Sequence, residues 1–112
     1  MRYADSITTP IVQSSTYFFK DSKEIEAYTK NAKKRYEYGR YGNPTEKVAE
    51  QRLAVLDGAE DALMFSSGMM AITTTILALV QSGDHIVITD DCYGRTLEFC
   101  RTYLKRFGIE CT

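Results

Sequence analysis

Ala62-Leu63-Met64-Phe65-Ser66-Ser67-Gly68-Met69 is the stretch on which the reading of the fold turns. Four apolar residues make a short strand, and the serine–glycine turn behind them opens a helix. That helix is expected from about Met69 to Val80, apolar on most sides and therefore buried. Ser82-Gly83-Asp84 ends it, Ile86-Val87-Ile88-Thr89 is a β-branched strand, and Asp90 to Gly94 is a loop. Leu97, Cys100, Leu104 and Phe107 define the inner face of the next helix, which Gly108 closes. Ile109-Glu110-Cys111-Thr112 then opens another strand. Strand–helix–strand–helix–strand with near-continuous apolar strands indicates an α/β fold, a mostly parallel sheet with helices on both faces.

Upstream, Asn43 caps a helix, Pro44 suits its first turn, and Glu46 completes a capping-box pattern. Val48, Ala49, Leu53 and Leu56 recur at helical spacing before Gly58 supplies the stop. Residues 1–43 lack such periodicity. Thr8-Thr9-Pro10-Ile11-Val12 and Ser14-Ser15-Thr16-Tyr17-Phe18-Phe19 read as extended, and Ser22 to Lys33 holds a short helix. Ser22 is its expected cap, with Ile25 and Tyr28 or Thr29 on one face. So long an irregular arm is unusual inside a compact domain, so it is expected to pack on something outside this chain. The division expected is an arm over 1–43 and an α/β portion over 44–112.

A chain of 112 residues is one domain at most. Its net charge of −1 offers no field for nucleic acid. The basic cluster Lys30, Lys33, Lys34 and Arg35, mixed with Asn31 and Ala32, reads as a solvated face. No apolar run approaches the ~20 residues of a membrane-spanning helix, and Met1 to Ser6 lacks a secretory profile. Cys92, Cys100 and Cys111 form no close pair, and His85 is the single histidine, so a zinc site has little to work with. Free thiols in a reducing cytosol are the economical reading.

Chemistry is expected at three places. At Ser66-Ser67-Gly68-Met69 the first helical amides and the helix dipole suit a phosphate, and Gly68 lets it approach the backbone. The same tetrapeptide also reads as a plain strand-to-helix turn. It is neither G-x-G-x-x-G nor a Gly-Lys-Ser/Thr loop, which disfavours dinucleotides and ATP. Tyr38 and Arg40 share a parity and project together, an arginine fork for phosphate beside a phenol, although by itself Tyr-Gly-Arg is more often a surface loop than a ligand site. Tyr93 ends a strand where open α/β sheets bind ligands, and by itself is a rim tyrosine. No Ser/His/Asp arrangement is in register.

Taken in order, Thr9-Pro10-Ile11-Val12, Ser15-Thr16-Tyr17, Tyr38-x-Arg40-x-x-Asn43-Pro44-Thr45, Ser67-Gly68-Met69 and Asp91-Cys92-Tyr93 resemble the Cys/Met-metabolism (transsulfuration) family of pyridoxal-phosphate enzymes. The resemblance covers nearly the whole chain and implies the aspartate-aminotransferase-like fold with pyridoxal 5'-phosphate as cofactor. It implies that Gly68 and Met69 donate amides to the phosphate, with Ser67 alongside, and that Tyr93 stacks on the ring. Tyr38 and Arg40 match the motif that reaches the phosphate of a neighbouring subunit, which would explain the arm and implies a homo-oligomer, a dimer of dimers.

The reaction implied is γ-replacement, joining L-cysteine to an activated homoserine ester to form cystathionine. Carbon–sulfur lyases of the family are the alternative. The family's Schiff-base lysine belongs to a serine-x-threonine-lysine context far downstream, which none of Lys20, Lys23, Lys30, Lys33, Lys34, Lys47 or Lys105 matches. No catalytic lysine is therefore assigned, and the chain reads as an N-terminal fragment, inactive alone and aggregation-prone at its unpaired strand edges. Rival readings are a short non-catalytic protein that modulates a full-length homologue and a generic nucleotide-binding α/β domain.

Overall fold

The computed structural model describes residues 6–30 and 35–112. Met1 to Asp5 and Asn31 to Lys34 lie outside them, with Lys33, Lys34 and the far end of the first expected helix. The chain divides into two compact units, Met1–Leu63 and Met64–Thr112.

In the first unit, α1 spans Ser22–Lys30. Its cap is Asp21 rather than Ser22: the Asp21 carboxylate accepts the Glu24 amide at 2.9 Å. The helix buries no residue, and Ile25 is about half exposed, so no apolar inner face forms. Polar and aromatic contacts hold it instead. Phe19 and Tyr28 place their rings 5.4 Å apart. The extended segment before it pairs antiparallel with the segment after it, Thr16 opposite Tyr38. The Tyr17 amide donates to the Glu37 carbonyl at 3.0 Å and the Gly39 amide to the Ser15 carbonyl at 2.6 Å.

Helix α2 covers Pro44–Asp57 with Asn43 as its cap and a left-handed Gly58 as its stop, as the sequence predicts. Asn43 Oδ1 accepts the Thr45 amide at 2.8 Å while its Nδ2 donates to the Val12 carbonyl at 2.9 Å. Thr45 Oγ1 in turn accepts the Val12 amide at 2.8 Å, so the arm is stapled to the first turn of α2. No bond from Glu46 back to Asn43 is seen among the described residues, and the cap rests on Asn43. The expected apolar face is also displaced. Ala54 and Glu50 are the buried residues of α2, whereas Leu53 is half exposed and Leu56 is 81% exposed.

In the second unit, α3 runs from Gly68 to Leu79. After a turn at Gly83, β1 (His85–Ile86) pairs parallel with β2 (Glu110–Cys111), His85 opposite Glu110 and Ile86 opposite Cys111. Flanking bonds from Glu110 N to Asp84 O (3.0 Å) and from Ile88 N to Thr112 O (2.9 Å) extend the ladder beyond these pairs. The crossover is α4 (Gly94–Glu98), continued by a wide π turn over Phe99–Tyr103 and a tightened 3₁₀ turn over Leu104–Phe107. Gly108, at φ 74°, closes it. A Cβ there would also lie 2.6 Å from Ser82 Oγ.

Cys100, Leu104 and Ile109 form the core, packed by Ile76, Val80, Ile86, Ile88, Phe99 and Cys111. Phe107 was expected on this inner face but is mostly exposed. The change from wide to tight turn alters the angular phase and carries it off that side. The parallel pair with its helical crossover bears out the α/β class. Residues 62–65, read as a strand, enter no sheet. A strand exists only where a neighbour supplies its ladder, and β1 and β2 pair with each other.

Candidate cofactor site

Within the second unit, Ser67 caps α3: its Oγ accepts the Met70 amide at 3.1 Å, and its carbonyl accepts the Ala71 amide at 3.0 Å. The Gly68 and Met69 amides have no partner among the described residues, as the geometry of a helix start dictates. The hydroxyl proton of Ser67 is free to donate beside them. An added Cβ at Gly68 would meet no atom within 4 Å, so the place a side chain would take there is open. Two free N–H groups, a hydroxyl and the positive end of a twelve-residue helix make a seat for a phosphate dianion.

Tyr93 occupies the cap position of α4, about two-thirds exposed. Its carbonyl accepts the Thr96 amide at 2.8 Å. Thr96 is buried, and its Oγ1 donates to Met69 Sδ at 3.7 Å. One threonine therefore joins the first turn of α3 to the first turn of α4, and the structure brings Met69 and Tyr93 into one neighbourhood. The sequence reading missed Thr96. Its only signal there is a hydroxyl residue three positions after Tyr93, where a helix start turns one side chain inward.

Within the first unit, Tyr38 is extended and partly exposed, and the Arg40 guanidinium lies over its ring, 5.3 Å from the centroid. Arg40 sits in a single 3₁₀ turn, Gly39–Tyr41, and makes no ion pair among the described residues. A phenol and a guanidinium projecting together fit phosphate oxygens.

Of the cysteines, burial pushes the Cys100 thiol up, with Cys111 and Cys92 contributing, which makes it a core group rather than a nucleophile. Among the described residues no group of three or more His, Cys, Asp or Glu side chains is gathered to hold a metal ion. The donor set at Ser67–Met69 with an exposed phenol nearby fits a flat phosphorylated group.

The family model described as Cys/Met metabolism PLP-dependent enzyme matches residues 2–112. The chain belongs to that family. It is 47% identical over 108 residues to cystathionine gamma-synthase 1, chloroplastic, of Nicotiana tabacum, covering 96% of this chain and 20% of that protein. Cystathionine beta-lyase of Bacillus subtilis is 39% identical over 96% of this chain and 25% of its own length. A crystal structure from Campylobacter jejuni, described as an O-acetylhomoserine (thiol)-lyase with a pyridoxyl-lysine monophosphate, superposes with a TM-score of 0.83 at 34% identity. That match covers 95% of this chain and 26% of that one. The chain thus spans a fifth to a quarter of the relatives it matches. Family and α/β class, both expected from the sequence, are borne out.

Proposed function

We propose that this chain is the N-terminal portion of a pyridoxal-phosphate transsulfuration enzyme that joins L-cysteine to an activated homoserine ester, forming cystathionine. The observation that carries the synthase reading is the order of likeness: over the same span the tobacco synthase is more similar than the Bacillus lyase. When bound, the cofactor supplies an electron sink beside the amino acid's reacting carbons. The Gly68 and Met69 amides hold its phosphate, and the Ser67 hydroxyl donates to the same anion. Tyr93, exposed at the start of α4, would stack on the cofactor ring and hold it flat, with its phenol available to assist proton movement. On this reading Tyr38 and Arg40, which project together, reach the phosphate of a neighbouring subunit, and residues 1–43 take an inter-subunit role within a dimer of dimers.

Residues 44–112 are then the first portion of the cofactor-binding domain. We place the enzyme in the cytoplasm, a reading supported by its three free thiols.

The complete gene product, loaded with pyridoxal 5'-phosphate, is expected to form cystathionine from an activated homoserine ester and cysteine. Cleavage of cystathionine with no synthesis would overturn the synthase reading and favour a lyase. An enzyme that binds no pyridoxal 5'-phosphate would overturn the site itself.

A further inference from the structure

Arg35, read from sequence as part of a solvated basic face, is engaged on every side of its guanidinium by described residues. Its Nη1 pairs with Glu24 Oε1 at 2.6 Å, its Nη2 donates to the Phe18 carbonyl at 2.8 Å, and its Nε donates to the Tyr36 carbonyl at 3.2 Å. Its guanidinium carbon also stands 4.1 Å above the Phe19 ring. Two residues on, Glu37 accepts the Tyr28 hydroxyl at 3.0 Å. Glu24 and Tyr28 are four apart, hence on one face of α1. Arg35 and Glu37 are two apart in extended chain, hence on one side of it.

Tyr36 and Tyr38 fall on the opposite side, Tyr36 against the Tyr17 ring at 5.8 Å and Tyr38 beneath Arg40 at 5.3 Å. Helix α1 buries no residue and is nine residues long, too short to persist alone in water. Beyond the Phe19–Tyr28 ring contact, this lock is what ties it to the 35–38 segment.

We propose that Arg35 is a positioning residue for the Tyr38–Arg40 pair, acting through a four-residue lock with Glu24, Tyr28 and Glu37. The lock fixes the twist and register of the 35–38 segment against α1. It thereby fixes where the phenol and the guanidinium beyond it project. The inference rests on the reading that Tyr38 and Arg40 contact a phosphate. Arg35 itself touches no ligand in this scheme, because its fork is already occupied.

The test uses the complete enzyme, stripped of cofactor and titrated with pyridoxal 5'-phosphate and, separately, with pyridoxal, which lacks the phosphate. Arg35→Gln is expected to weaken pyridoxal 5'-phosphate by about 5- to 20-fold while leaving pyridoxal unchanged. Equal loss for both ligands marks a merely structural residue and overturns the inference, as does no loss for either. Arg40→Gln run alongside separates the two readings. If it shows no phosphate-selective loss, the Tyr38–Arg40 assignment fails and the positioning role falls with it. If it shows that loss and Arg35→Gln does not, the positioning role alone fails. Where Arg35→Gln does not fold, Arg35→Lys keeps a charge beside Glu24 but lacks the fork to the Phe18 carbonyl, and it carries the same comparison with a smaller expected loss.

Discussion

The two units solve the problem of staying folded in opposite ways. Residues 64–112 close around Cys100, Leu104 and Ile109, with no polar group among the three core side chains beyond a thiol. In residues 6–63, by contrast, the order comes from directed bonds: Arg35 on Glu24, Tyr28 on Glu37, and Asn43 and Thr45 on the Val12 backbone. Apolar packing tolerates small shifts in angle, whereas a fork or a cap fails once its geometry is lost. On the proposed reading, a polar scaffold suits a segment that aims Tyr38 and Arg40, and an apolar one suits helices whose first turns hold one anion.

The contrast is broken most forcefully at Leu104, fully buried in the second unit. Leu104→Ala is expected to destabilise that unit by about 2–5 kcal/mol, with the cost read from denaturant midpoints and hydrogen exchange confined to residues 64–112. In the first unit the largest single loss is expected at Asn43→Ala, which removes a cap and an arm tether together. About 1–2 kcal/mol is expected, with faster exchange at Val12 and Thr45 amides.

A smaller effect sharpens the comparison through pH. The Glu24 carboxyl is held below the usual carboxylate range, first by the Lys20 amide and also by Arg35. A lowered folded value means the stabilisation is complete above the unfolded carboxylate range and is lost as pH falls through the folded one. Tyrosine near-ultraviolet dichroism from residues 6–63 should therefore fade on acidification before the second unit loosens. A simultaneous loss would count against separate scaffolds. The least effect is expected at Glu26→Gln, which breaks the exposed pair with Lys30 and should shift stability by no more than about 0.5 kcal/mol.

What the sequence revealed follows the range over which each signal acts. Helix α2 was legible because Asn43–Pro44 and Gly58 act within a turn of themselves, and α3 because Ser67 caps it. The strand at Ile86 showed through the β-branched run Ile86–Thr89, of which only Ile86 falls within β1, and its partner near Cys111 through its place after the closing Gly108. The bareness of Leu56 was hidden because periodicity marks an apolar face without saying whether anything covers it. Phe107 went astray because a helix of changing pitch has no single period. At the candidate site, Ser67, Gly68, Met69 and Tyr93 were named in advance and lie on adjoining helix starts, yet Thr96, which joins them, was not. The Glu24–Arg35 pair spans a separation that no local pattern encodes, and charge in a run of lysines looked like mere solvation.

Gly68 carries a last consequence. Its backbone is not left-handed and the volume beside it is vacant, so alanine there would fold at least as well as the native residue, with a methyl entering free space. On the proposed reading that methyl would stand where the anion docks. A single carbon would then part the chain's tolerance of change from its competence to grip a ligand.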